Sequence, residues 1–241
     1  MQVLQNRTMK SAAKFVHVKV IHGFLHNIAA ALGFGVASYR QPYRAAAMNA
    51  VRAIKHRREM LLTPLEAIQL FSLVKATSKL GGAMAEIGVY RGASARLIRD
   101  ADQTRELHLF DTFEGLPETQ ETDTAHHFGR FKKGEFSCSL EDVQRYLSGS
   151  KHLHFYKGLF PATALPVRDV RFSFVHSDVD ICASTKAVLD FFYPRMLPGG
   201  VIITHNFASA SGVSQAFTEF FASRSEPLIE LSGDQAIIVK L

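Results

Sequence analysis

The chain has 241 residues, 47% of them hydrophobic and 21% charged, with a net charge of +6. That suffices for one α/β domain with an appendage, and it excludes a mini-protein needing staples and a largely disordered chain. Two cysteines, Cys138 and Cys182, are too few for a disulfide framework or a four-cysteine zinc site, so a reducing, cytoplasmic setting is expected.

The charge is uneven. Residues 1–60 hold ten Lys/Arg against the single acid Glu59, which makes that segment +9 and leaves −3 for residues 61–241. Residues 1–60 therefore read as a basic, helical N-terminal extension, and 61–241 as the domain that carries the chemistry. A basic arm meets nucleic acid, an anionic membrane or an acidic partner, or is simply solvated or locally paired. Residues 20–39 lack Lys, Arg, Asp and Glu but contain His22, His26 and Asn27, which dilute them below a membrane-spanning helix. An amphipathic helix lying on a membrane surface or covering a partner subunit is the better expectation, with peripheral membrane contact and a homo-oligomer as its consequences.

In chain order, Thr63-Pro64 is a helix start, a hydroxyl N-cap followed by Pro at the first position. Leu65, Ile68, Leu70, Phe71, Val74 and Leu80 continue it as an apolar face that ends at Gly81-Gly82. Short apolar runs then alternate with helical stretches. Strands are expected at 85–89, 107–110, 154–156, 171–176 and 201–204. Helices are expected at 93–99, from 139 onward, 159–165, 184–196 and 213–222. Ser139 and Asp142 have the spacing of a capping box with Asp in place of Glu. Residues 228–231 and 236–240, split by Ser232-Gly233-Asp234, form a closing hairpin. The polar stretch 112–137 is too long for an ordinary connection and is expected to be a lid or binding insertion.

This alternation predicts a doubly wound, mostly parallel, seven-stranded Rossmann-like sheet with helices on both faces and an antiparallel C-terminal hairpin. Ligands of such sheets bind beyond the carboxyl ends of the strands. Those ends carry Gly88 and Gly92, Asp111, Lys157-Gly158, Asp178-Val179-Asp180 and His205-Asn206. The two glycines let a ligand approach the backbone, and the helix start at Ala93-Ser94 offers free N–H groups. The spacing is not that of a dinucleotide fingerprint. Asp111, 23 residues after Gly88, is placed to accept both hydroxyls of a ribose. Glu86 adds negative charge, which repels a pyrophosphate and favours a sulfonium, tilting the cofactor from NAD to S-adenosylmethionine.

With residues 85–94, 110–117 (Phe-Asp-Thr-Phe-Glu-Gly-Leu-Pro), 178–195 and 198–203 in register, the chain is similar to class I S-adenosylmethionine-dependent methyltransferases. Within them it resembles the macrocin O-methyltransferase group, the TylF/MycF/NovP-related enzymes of antibiotic-sugar tailoring. The resemblance covers about residues 60–241. It implies cofactor contacts from Glu86, Gly88, Tyr90, Gly92, Ser94, Asp111, Lys157 and Asp178, with 156–158 bordering the adenine and Phe155 in the core. Related chains place two acids after the fifth strand, which bind Mg²⁺ together with the first Asp of the fourth-strand motif. Here that pair is His205-Asn206, so the implied metal set is Asp178, His205 and Asn206. Imidazole suits Mn²⁺, Fe²⁺ or Zn²⁺ better than Mg²⁺. The alternative is a metal-free site in which His205 is a base or a hydrogen-bonded wall residue.

The expected activity is S-adenosylmethionine-dependent O-methylation of a small-molecule hydroxyl, on a sugar or polyol of a secondary metabolite or glycan. The acceptor must be aligned and lose a proton. His205, and His126 or His127 in the lid, are the candidate bases, while Asp178 orients the acceptor or metal, or else caps the next helix. A competing reading is a methyltransferase-fold binding protein, non-catalytic or metal-independent, that works through its basic arm. Nucleic acid is not an expected partner, because residues 61–241 contain no basic patch interleaved with aromatics.

Overall fold

The computed structural model describes Phe24, residues 27–29, Ala31, 41–126 and 129–241. The chain divides into two compact units, 1–41 and 42–241. In the first, the described residues are helical, and Phe24 and Ile28 are exposed. Most of the expected amphipathic segment lies outside the described residues, among which no helix is long and apolar enough to cross a membrane.

The second unit begins before the boundary expected at residue 60. Helix α1 (Pro42–Lys55) belongs to it, because Ala47, Met48, Val51 and Ile54 are buried on the face packed against α2 (Pro64–Thr77) and α3 (Ala93–Ala101). Part of the basic segment is also paired here. Arg58 bonds Asp142 and lies over the Tyr146 ring at 4.4 Å, and Arg91 bonds Glu59 at 2.7 Å.

Seven strands form the main sheet: β1 (Ala83–Ile87), β2 (Leu107–Asp111), β5 (Leu153–Lys157), β6 (Phe172–Ser177), β7 (Met196–Thr204), β8 (Ile229–Glu230) and β9 (Ala236–Val239). Their order is β5-β2-β1-β6-β7-β9-β8. The five strands from β5 to β7 are parallel, and β9 enters antiparallel between β7 and the edge strand β8. This is the expected Rossmann-like sheet. Strands β1 and β6 are buried throughout because both faces are covered, which is why they read as unbroken apolar runs. The order in which successive strands are laid down reverses between β1 and β6, which run parallel, and there the crevice opens.

Local chemistry sets the element ends. Thr63 caps α2 in a full capping box with Glu66. Ser139 caps α4 (Leu140–Tyr146) by accepting the Asp142 N–H, but no reciprocal half forms and the Asp142 carboxylate bonds Arg58 instead. The expected helix at 159–165 is a 3₁₀ turn at Ala162–Val167. Helix α5 (Cys182–Phe192) stops before Tyr193-Pro194-Arg195, and Pro198-Gly199-Gly200 fall inside β7 rather than closing the helix.

The insertion 112–137 is tied down by its own backbone. It contains the hairpin β3 (Thr124–Ala125) and β4 (Gly129–Arg130), and Leu116 and Gly134 bond across its base to Glu135 and Leu116. Asp123, 2% exposed, accepts the N–H groups of Gln120 at 2.8 Å and Cys182 at 3.0 Å, so the insertion caps the start of α5 before α6 (Ser211–Phe221) packs beside it. Asp123→Ala orphans two donors and is expected to lower stability by about 1–3 kcal/mol. The urea midpoint checks the loss, and limited proteolysis should then cut first within 112–137.

Candidate active site

A cavity of about 760 Å³ opens over the carboxyl ends of β1, β2, β6 and β7. Of the expected cofactor residues, Gly88, Tyr90, Asp111 and Asp178 line it, as do His205 and Asn206. Gly88 has φ +86°, and a Cβ built there falls 1.8 Å from the carbonyl oxygen of Asp178. Only glycine fits where the ends of β1 and β6 meet, and the backbone surface beside it stays open to a ligand.

Asp111 has a structural task not foreseen from its position. Its Oδ2 accepts the N–H of Val89 at 2.7 Å and of Tyr90 at 2.9 Å, and its Oδ1 accepts that of Phe113 at 2.7 Å. The carboxylate stitches the glycine turn to the β2 loop. Counting about two acceptor sites per oxygen, Oδ1, with the Thr112 hydroxyl only at 3.5 Å, keeps room for one further strong donor.

Four expected contacts lie elsewhere. Glu86 is fully buried in the sheet, with Oε1 2.9 Å from His176 Nδ1 and Oε2 without a partner. Burial pushes its carboxyl up, against the pull of His176, and its side chain lies inside the sheet and not in the cavity lining. Ser94 is absent from the lining, and Gly92 is the left-handed N-cap of α3, beneath Val143. Lys157 points to Glu114 at 3.4 Å, and it is Gly158, Leu159 and Phe160 that reach the cavity. Tyr156 stacks on Phe110 at 4.5 Å and bonds His108, while Phe155 is half-buried rather than core.

The candidate bases also part company. His126 is exposed and absent from the lining, with only its backbone N–H tied to Ser209; His127 lies outside the described residues. His205 is at the cavity wall but wedged between acids. Its Nδ1 is 3.3 Å from Asp178 Oδ1, and its Nε2 is 3.6 Å from Glu66 Oε2. Burial would lower its pKa, but Asp178 and Glu66 outweigh that and raise it well above the usual value. With both ring nitrogens facing carboxylates, neither is turned to an acceptor hydroxyl.

Two acids missed from the sequence complete the site. Glu66 comes from the first turn of α2. Burial pushes its carboxyl up, but hydrogen bonds from His205 and the Thr63 amide hold it down at about 2. Its only signal was the Thr63-x-x-Glu66 cap, which spoke of helix geometry and not of the cavity. Asp180 follows β6, takes a hydrogen bond from Asn206 Nδ2, and is pushed up to about 7 by burial and by the charge of Asp178. Its signal was present in the Asp178-Val179-Asp180 strand end. Tyr90, Phe136, Asp180 and Asn206 line the cavity with φ of +47° to +62°. Such left-handed side-chain-bearing residues cost roughly 1–3 kcal/mol each and gather at binding sites.

The residues proposed for a metal do not fit one. Both nitrogens of His205 face carboxylates, and a ligating imidazole must offer a bare nitrogen. Among the described residues no three His, Cys, Asp or Glu side chains converge as ligands. A sulfonium cofactor fits better, because the lining carries Glu66, Asp111, Glu135, Asp178, Asp180 and Asp234 against Arg130 and His205.

Comparison with known proteins follows the same line. The family model described as macrocin-O-methyltransferase (TylF) matches residues 63–236. A curated protein of Streptomyces olivaceus, the 8-demethyl-8-(2,3-dimethoxy-alpha-L-rhamnosyl)-tetracenomycin-C 4′-O-methyltransferase, is 29% identical over 141 residues. That match spans 53% of this chain and 53% of the relative, about half its length. The O-methyltransferase NovP superposes with a TM-score of 0.61 at 22% identity, over 71% of this chain and 78% of NovP. The calicheamicin methyltransferase CalS11 superposes at 0.58 and 16% identity, over 84% and 94%. At these identities the two structures establish a shared fold.

The Glu66–His205 contact predicts a pH profile of stability. A depressed carboxyl contributes fully above its ordinary 4.5 and loses that contribution as pH falls toward about 2. A raised histidine contributes below its ordinary 6.5 and loses it as pH rises through its folded value. Glu66→Gln is expected to lower stability at neutral pH and flatten the acid limb, as read from urea midpoints across pH.

Proposed function

The chain belongs to the macrocin O-methyltransferase (TylF) family, and from that premise we propose that it methylates a hydroxyl of a sugar in a secondary metabolite, using S-adenosylmethionine. The curated relative, named for methylation at the 4′ oxygen of a tetracenomycin rhamnoside, supports a sugar acceptor. The observation that carries the reading is the juxtaposition of a glycine turn, Asp111 and a buried carboxyl, Asp180, in one acid-lined cavity.

S-adenosylmethionine supplies an already activated methyl group, which the acceptor oxygen takes as the sulfonium becomes a thioether. The chain has to hold, orient and deprotonate. Gly88 provides the close backbone surface, and Asp111 Oδ1 accepts a ribose hydroxyl. Gly158, Leu159 and Phe160 border the far end of the cofactor. Leu61, Leu116, Phe131 and Phe136 give the cavity apolar walls that exclude water. Asp180 is the base: Asn206 holds its Oδ1, and Oδ2 takes the acceptor proton. A carboxyl at about 7 suits proton removal at neutral pH, whereas His126 is absent from the cavity lining and both nitrogens of His205 face carboxylates.

Calorimetry with S-adenosylhomocysteine is the first test, and no heat of binding would end the proposal. Asp111→Ala is expected to weaken that binding by about 1.5–3 kcal/mol, read as a change in Kd. With a rhamnoside as acceptor probe, kcat/KM is expected to rise with pH through about 7 as Asp180 ionises. Asp180→Asn should remove that limb and lower kcat about 10²–10⁴-fold.

A further inference from the structure

We propose that Arg130 selects the methyl acceptor by an oxyanion, a carboxylate or a phosphate, that the acceptor carries besides the hydroxyl to be methylated. The proposal rests on the methyltransferase reading above and narrows its acceptor to an anionic sugar derivative.

Sheet order separates two halves of the cavity. The groups assigned to the cofactor are the turn after β1, Asp111 at the end of β2 and Gly158 after β5, all on one side of the boundary between β1 and β6. Asp180, Asn206 and Ser209 follow β6 and β7, on the other side. The insertion that carries Arg130 is moored to this second half. Asp123 accepts the Cys182 N–H at 3.0 Å, at the start of the helix after β6. Ala125 bridges to Ala210, after β7, and Ser209 O accepts the His126 N–H at 2.9 Å. Thr124 faces Arg130 across the hairpin. The next residue, Phe131, is buried and donates its N–H to Asp123 O at 3.1 Å. Arg130 therefore enters the lining on the acceptor's side, from a backbone held on both strands.

Its charge is the one the chain answers least. Each of the six acids in the lining has a hydrogen-bond partner from the chain within 3.3 Å. Glu135, the acid of the lining nearest to Arg130 in sequence, is taken by the Lys132 amide at 3.0 Å. Among the described residues Arg130 meets Glu121 alone, at 4.0 Å, and the two side chains are 51% and 91% exposed. An exposed pair at that distance contributes little. A guanidinium offers paired N–H donors in one plane, the fork that matches two oxygens of a carboxylate or phosphate. A lining side chain that is half exposed stands at the cavity mouth. There an anion keeps part of its hydration while the acceptor hydroxyl reaches inward to Asp180. The acids at the strand ends repel the same anion deeper in. Attraction at the rim and repulsion inside leave the acceptor one orientation, charged end outward and hydroxyl inward, which aligns it for transfer.

The test uses the full chain, with and without S-adenosylhomocysteine. Calorimetry compares three probes of one ring configuration: methyl rhamnoside, which is neutral, rhamnose 1-phosphate, and the methyl uronoside, which bears a carboxylate. One anionic probe is expected to bind about 10–100-fold tighter than the neutral one, and which of the two does so names the oxyanion. Arg130→Gln is expected to remove that preference and Arg130→Lys to keep part of it. With S-adenosylmethionine and the preferred probe, the loss in Arg130→Gln should fall on KM and not on kcat. Equal binding of all three probes, binding of none, or a preference that Arg130→Gln leaves unmoved overturns the proposal; so does a loss confined to kcat. If a variant fails to fold, the three probes on the natural chain still decide. Binding of S-adenosylhomocysteine without a preference for either anion overturns this proposal alone. Absence of S-adenosylhomocysteine binding ends the methyltransferase reading separately, because the probes are also read on the unliganded chain.

Discussion

Everything in the cavity depends on how closely two strand ends approach. At Gly88 the turn after β1 comes so near the Asp178 carbonyl that no side chain fits between them. Asp178 N bonds Ile87 O at 2.9 Å, and Gly88 N bonds Phe110 O at 3.0 Å, so β1 is tied on both sides at the point where it stops. The contact brings the β1 turn, the Asp111 carboxylate and the Asp178-Val179-Asp180 segment within reach of one ligand. A larger residue at 88 would push β6 away and carry Asp178 and Asp180 with it.

Around that contact the chain gathers more negative charge than a cavity ordinarily tolerates, and each acid is handled differently. Asp111 is hydrogen-bonded by backbone N–H groups, as is Asp234, which accepts from Ala208 and Ser209 at 2.8 Å each. Glu66 and Asp178 flank the ring of His205. Asp180 escapes by moving its pKa toward neutrality, which prepares it to take a proton. Glu86, one step further into the sheet, is walled off with His176 and does not act on the ligand. Charge near a strand end is therefore no guide to charge in the cavity. The side-chain direction within the strand decides, and the residues of β1 up to Ile87 face the packed layers.

The insertion 112–137 and the start of helix α2 both contribute residues to the cavity lining. Asp123 links the insertion to the start of α5, and Ala125 bridges to Ala210. Glu66 links α2 to the loop between β8 and β9 and to His205. In both cases one buried carboxylate both caps a helix and anchors a wall. A methyl acceptor enters a space whose walls are held by hydrogen bonds to main chain, which keeps the reacting atoms aligned.

Period and punctuation determined the architecture by themselves. Apolar runs of strand length, helical faces between them and glycines at the turns dictate a parallel sheet, and that sheet puts Gly88, Asp111, Asp178 and His205 at one edge because strand ends are where such folds open. The boundary of the N-terminal segment was not legible, because the buried face of α1 is defined only by the α2 and α3 surfaces it meets. Nor were the roles of individual acids. Glu66 lies 112 residues before Asp178 and 139 before His205, and its capping spacing is fully explained by α2 alone. Along the chain His126 reads as a candidate base, and Asp180 only as part of a strand end. Packing separates them by burying one carboxyl beside another and leaving the imidazole in water. Charge, burial and partner are properties of neighbours in space, and those neighbours exist only once the sheet has closed.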